Sequence, residues 1–129
     1  MPARTIIAQE LAQFMSAISH PQRIRIIEEL RGGEKDVATL SHELSLAQAT
    51  TSQHLALLRT RKVLESRKEG HRVYYSLVQP RLSKWLVDGL NFLEEEATSS
   101  KGLEKALKQV KTLWSAKKGG QRAKAAPRT

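Results

Sequence analysis

From Gln48 to Arg72 the chain reads QATTSQHLALLRTRKVLESRKEGHR, and two kinds of hydrogen-bonding side chain succeed one another along it. Gln48, Ala49, Thr50, Ser52 and Gln53 are small or uncharged, and their amides and hydroxyls can both donate and accept. An amide tip can pair bidentately with an adenine edge, a hydroxyl suits any base edge, and an alanine methyl suits the methyl of thymine. Arg59, Arg61 and Lys62 come next, and then Arg67, Lys68, His71 and Arg72 surround Gly70. These cations suit phosphate oxygens, contacts that set affinity rather than sequence choice. His54 lies between the two sets and is expected to pack or to touch phosphate. No catalytic constellation competes with this reading. Paired carboxylates, a glycine-rich phosphate loop and a Ser/His/Asp arrangement are not recognisable by spacing, and His71 with Glu69 sits on an expected hairpin tip. The chain is not expected to be an enzyme.

Helices must position these groups. After Thr5, taken as an N-cap, Ile7, Leu11, Phe14, Met15 and Ile18 follow helical spacing and predict a helix over 6–18. Ser19-His20-Pro21 breaks it and restarts a second helix with proline at its first position, carrying Ile24, Ile27 and Leu30 and stopped by Gly32-Gly33. Asp36 caps a short third helix with Val37, Leu40 and Leu44. Ser45-Leu46-Ala47 forms a turn, and a fourth helix runs over about 48–61. At about 100° per residue, Thr51, Leu55 and Leu58 share one side of it and Gln48, Ala49, Ser52, Gln53 and Ala56 the adjoining side. Beyond Val63 the period changes to 2, giving strands over 64–68 and 72–77 with Glu69-Gly70 at the turn. Helical spacing returns in Leu82, Trp85, Leu86, Leu90 and Leu93. The fold class is therefore mainly α with a small β-hairpin (α+β): two short helices, a tight turn and a following hairpin make a winged helix-turn-helix. In that arrangement the uncharged face of helix 48–61 enters a major groove about 12 Å wide, and the basic hairpin clamps the backbone.

Composition bounds the class. The 129 residues fit one domain with a modest core, and two Phe, two Tyr and two Trp leave it dependent on aliphatic packing or on a second copy. The absence of cysteine excludes disulfides, thiolate metal sites and thiol redox sensing. Neither a membrane span nor a signal-peptide stretch is visible, so the expected location is the cytoplasm. The net charge of +9 is uneven: residues 1–100 hold 13 Lys and Arg against 12 Asp and Glu, residues 101–129 hold 9 against 1. His20, His42, His54 and His71 fall on four elements without metal-ligand spacing, so neither metal nor cofactor is expected.

The runs HPQRIRIIEEL, VATLSHEL, TTSQHLALLR and VLESRKEGHRVYYSL resemble, in order and spacing, the ArsR/SmtB family of bacterial winged-helix repressors over Ala12 to Leu93. The resemblance implies a homodimer with its first and last core helices at the interface, bound to an inverted repeat in a promoter. Phe14, Ile18, Trp85, Leu86, Leu90 and Leu93 are the expected interface, and they exceed what a tri-helical core with one hairpin covers. The resemblance also exposes departures. Where metal-sensing members carry a cysteine pair on the third helix, this chain has Asp36 and Ala38. Where others place ligands on the last core helix, it has Gln79, Arg81, Phe92 and Glu95. Ala47 stands where many relatives place a capping serine.

Residues 1–97 are expected to form the DNA-binding and dimerisation domain, and 98–129 a basic extension with an amphipathic helix over about 101–116 and then a disordered tail. Leu103, Leu107, Val110 and Trp114 mark the apolar side of that helix, and Lys101, Lys105, Lys108 and Lys111 the other. The helix could pack on the dimer ahead of a DNA-holding tail, or lie on an anionic membrane. The leading expectation is a sequence-specific repressor of double-stranded DNA, released by an unidentified small-molecule effector if any. The alternative is a winged helix used for nonspecific DNA compaction or protein contacts, driven by the tail.

Overall fold

The computed structural model describes residues 1–94 and 101–115; Glu95, Glu96 and the expected tail lie outside the described residues. Helix α1 spans Pro2–Ile18, beginning before the expected start. Proline at its first turn is pre-organised for helix, so Met1 is the N-cap and Thr5 lies inside the helix rather than capping it. Only the C-terminal end of α1 reaches the core, through Phe14, Ala17 and Ile18. Helix α2 (Pro21–Glu29) starts on His20, whose Nδ1 accepts from the Gln22 N–H, and continues as a 3-10 turn over Leu30–Gly32. The Arg23 side chain donates to the Ala17 carbonyl at 2.6 Å and fastens α2 to the end of α1.

Strand β1 (Lys35–Asp36) was not apparent in the sequence, being too short for any periodicity. Asp36 then caps α3 (Val37–Leu44) by accepting from the Thr39 N–H at 3.0 Å. The helix-turn-helix turn begins at Ser45, held in the left-handed region at φ +56°. Ser45 N–H bonds the His42 carbonyl and Leu46 N–H the Ser41 carbonyl, a closure that satisfies the last carbonyls of α3. Helix α4 (Gln48–Thr60) follows and ends the same way: Lys62, at φ +63°, donates to Arg59 while Val63 donates to Leu58. A side chain in this backbone region costs about 1 kcal/mol or more, so glycine is the usual occupant.

Strands β2 (Leu64–Glu69) and β3 (Arg72–Leu77) pair antiparallel from Leu64 opposite Leu77 to Glu69 opposite Arg72. The turn is therefore Gly70-His71, one residue later than Glu69-Gly70, with Gly70 at φ +64°. Strand β1 joins β3, so the sheet is three-stranded, in the order β1-β3-β2, rather than a bare hairpin. Helix α5 (Leu82–Leu90) runs into a 3-10 turn over Asn91–Leu93, and α6 occupies Lys101–Ser115. One core joins the helices to the sheet: Ile26, Ile27, Leu40, Leu55 and Leu58 are fully buried, with Leu30, Val63 and Leu64 nearly so.

Helix α6 packs on its own chain's α5, Leu107 against Leu90 with Leu103, Val110 and Trp114 around them. Arg31 donates to the carbonyls of Leu113 and Trp114, capping the last turn of α6. Lys101, Lys105 and Lys108 are exposed as the spacing predicts, whereas Lys111 pairs with Glu94.

Ala47 has the extended backbone of an N-cap, φ −64° and ψ 148°, but supplies no side-chain acceptor to α4. Ala47→Ser should add about 1 kcal/mol of stability and raise the melting temperature by roughly 4 °C. Thermal unfolding checks this, and an unchanged midpoint would mean that those N–H groups already have equivalent partners.

Candidate nucleic-acid interface

Burial divides α4 into two faces. Thr51, Leu55 and Leu58 are at 0% exposure, and the Thr51 hydroxyl, which would be orphaned there, donates to the Ala47 carbonyl at 3.1 Å. Gln48, Ala49, Thr50, Ser52, Gln53 and Ala56 are exposed. None of the polar ones among them makes a side-chain hydrogen bond to another described residue, so their donors and acceptors are available to a ligand. The absence of charge on this face keeps the desolvation cost of entering a groove small.

His54 takes the packing alternative, apart from the exposed polar face. Its ring packs on that of His20, centroids 4.5 Å apart, and its Nδ1 lies 3.4 Å from the Arg23 guanidinium. Burial first, then His20 and Arg23, push its pKa below the ordinary imidazole value. It is a half-buried joint between α4 and the start of α2, turned from the face that Gln53 presents. The four histidines are thus not all apart, as their positions along the chain had suggested. Even so, among the described residues no three His, Cys, Asp or Glu side chains converge as a metal site would require.

Not all the basic side chains are equally available. Arg59 is exposed without a side-chain partner among the described residues, while Arg61 donates to Gln13 of α1 at 3.2 Å. On the hairpin, Lys68 and His71 project from the tip beside Gly70. Arg67 instead folds back: its guanidinium grips Glu34 through Nε and Nη2, meets Glu69 at 2.6 Å and lies over the Tyr74 ring at 4.7 Å. Glu34 foremost, then Glu69, holds it charged by raising its pKa. Arg72 bonds Asp36 at 2.8 Å but stays 66% exposed, able to face outward as well. Two of the wing's cations therefore brace the hairpin against the loop before α3. No local pattern could announce these pairs, whose partners lie 33 and 36 residues apart.

Asp36 gains a second role from this. Burial disfavours its charge, but the Thr39 N–H and the Arg72 guanidinium outweigh that and lower its pKa. A carboxylate with a lowered folded pKa stabilises fully above its unfolded value near ~3.9, and the contribution fades as pH falls through the folded value. Asp36→Asn keeps an oxygen for the cap and loses only the charge. It should be less stable than wild type at pH 7 by about 0.5 kcal/mol, Arg72 being largely solvated, and the two should converge as pH falls through the lowered folded value. Urea unfolding across that range tests it, and a gap constant in pH would remove the ion pair from the explanation.

The expected dimer face needs correction at two positions. Ile18 is 4% exposed within the chain's own core, and Leu90 is covered by Leu107, so neither offers surface to a second copy. Phe14 and Leu86 are half-buried against the core, Trp85 is 46% exposed with its ring edge-on to Phe14, and Leu93 is exposed. The larger uncovered apolar row is on α1, where Ile7, Leu11 and Met15 repeat every fourth residue beside Ile6. Helical spacing displayed that row in the sequence, but it could not show that only the end of α1 touches the core.

Comparisons with known proteins agree with this geometry. The family described as bacterial regulatory protein, arsR family, matches residues 20–61, from the cap of α2 through α4. The nodulation protein NolR of Rhizobium meliloti is 36% identical over 54% of this chain and 57% of its own length. A transcriptional repressor SmtB homolog of Synechocystis is 30% identical over 68% of this chain and 67% of its own. Among solved structures, a homodimeric winged helix-turn-helix DNA-binding domain from Mycobacterium bovis superposes with a TM-score of 0.63 at 25% identity, covering 71% of this chain and 89% of that one.

Proposed function

The chain belongs to the ArsR family of bacterial regulatory proteins and is a winged-helix DNA-binding repressor of that family, and from this we propose that it acts as a homodimer reading an inverted repeat in double-stranded DNA. Residues 1–97 carry both binding and dimerisation, and α6 is an extension anchored through Leu107. Each α4 enters a major groove, half-sites being one helical turn, about 10 base pairs, apart. Gln48, Ala49, Thr50, Ser52 and Gln53 meet base edges. Arg59 meets phosphate at the end of α4, and Lys68, His71 and Arg72 meet phosphates around Gly70, with Arg67 and His54 as braces. The uncovered row Ile7, Leu11 and Met15, with Leu93, meets its own copy across a two-fold axis, and the Mycobacterium bovis relative is likewise homodimeric. Such a protein works where the chromosome is, in the cytoplasm.

The observation that carries this is the face of α4: exposed, uncharged, rich in hydrogen-bonding groups without partners among the described residues, and flanked by cations. Selection from a randomised duplex pool tests it. The expected product is a two-fold symmetric sequence that outcompetes bulk DNA by ~10³ or more. A ratio near one would instead assign the protein to nonspecific compaction, for which the exposed lysines of α6 are suited.

A further inference from the structure

Away from the polar face of α4, the structure contains a cavity of about 360 Å³ between the end of α1, the link from α4 to β2, and the start of α5. Its floor is apolar: Phe14, Val63 and Leu82, with Trp85 standing edge-on to Phe14 at a centroid distance of 6.2 Å. Its rim is cationic. The side chains of Lys62 and Arg81 line it without an ion pair or hydrogen bond to any described residue, whereas Lys84 and Asp88, the one acid among the described lining residues, neutralise each other at 3.2 Å. That volume lies in the range of small-molecule sites, which combine a mainly apolar lining with a few convergent polar groups.

Lys62 supplies a second observation. It is the left-handed residue that ends α4, at φ +63°, where glycine would relieve the backbone. A lysine in that conformation destabilises the helix end, and its side chain lines the cavity. Unfavourable backbone states of this kind tend to gather at functional sites.

We propose that this cavity binds an apolar small molecule bearing one anionic head group, of the medium-chain carboxylate class. Lys62 and Arg81 hold the head, and Phe14, Leu82 and Trp85 cover the body. Charge favours this occupant over a second copy of the chain, whose uncovered α1 offers Glu10 as its one acid against two unpaired cations. Lys62-Val63 is also the link between α4 and the wing, so occupancy acts where the two DNA-contacting elements join. That regulatory consequence rests on the DNA-binding reading above, but the binding itself does not.

Calorimetric titration of the full chain without DNA separates the two. Decanoate, decanol and decylammonium, kept below micelle formation, share a body and differ in head. Decanoate should bind at least tenfold more tightly than decanol, and decylammonium should not bind. Lys62→Gly should bind decanoate at least tenfold more weakly while melting no lower than wild type, which distinguishes a lost ligand contact from a damaged fold. Arg81→Gln should show the same loss. Equal binding of the three probes, or wild-type affinity in Lys62→Gly, would overturn the proposal. So would decanoate binding by a monomeric Leu11→Glu variant but not by the dimer, since the partner subunit would then fill the cavity.

Discussion

Gln53→Ala is expected to weaken binding to the selected operator by at least ~30-fold while leaving affinity for unrelated DNA within about twofold of wild type. A bidentate amide contact to a base discriminates by about 1–3 kcal/mol, and a homodimer makes it twice, so roughly 2–6 kcal/mol are at stake, at ~1.4 kcal/mol per factor of ten. Lys68→Ala is the proper contrast. It removes one exposed phosphate-facing charge per subunit, so it should lower specific and nonspecific affinity together and flatten log affinity against log salt by up to ~1.8 per dimer. Arg72 would serve less well, because its loss also strips Asp36 of its partner and loosens the cap of α3. Titrations at several salt concentrations read both effects. Should the two substitutions change the ratio of specific to nonspecific affinity alike, the separation of base reading on α4 from phosphate grip on the wing is wrong.

The parts of this site that the sequence disclosed share a physical property: each follows from contacts within one or two helical turns. Pro21 after His20, Asp36 before Val37, and the alternation Val73, Tyr75, Leu77 place α2, α3 and β3 because the cap, the proline and the pleat are local. The two faces of α4 follow from the same periodicity, and the burial of Thr51, Leu55 and Leu58 agrees with it. What the sequence withheld depends on residues far apart in the chain. Arg67 and Arg72 look like uniform basic wing residues until Glu34 and Asp36 are placed beside them. His54 leaves packing and phosphate contact both open until His20 is placed against it. Leu90 looks like free apolar surface until α6 folds back over it.

Leu55→Ala is the substitution expected to damage the fold most specifically. Leu55 is fully buried in the core that joins α4 to α2, α3 and the sheet, and truncating such a leucine costs about 2–5 kcal/mol. Small domains hold only about 5–15 kcal/mol in total, so the melting temperature should fall by more than ~10 °C. Leu57→Ala, two residues on and 39% exposed, makes the same chemical change on the same helix. Alanine's helix propensity is similar or better at both sites, so the difference between the variants isolates burial from helix formation. Leu57→Ala should therefore shift the midpoint by no more than ~3 °C. Operator affinity carries the argument further. The polar face of α4 is only as well placed as the buried face beneath it, so Leu55→Ala should bind more weakly even at temperatures where it remains folded, and Leu57→Ala should not. Equal losses of stability in the two variants would mean that α4 is held by something other than this core.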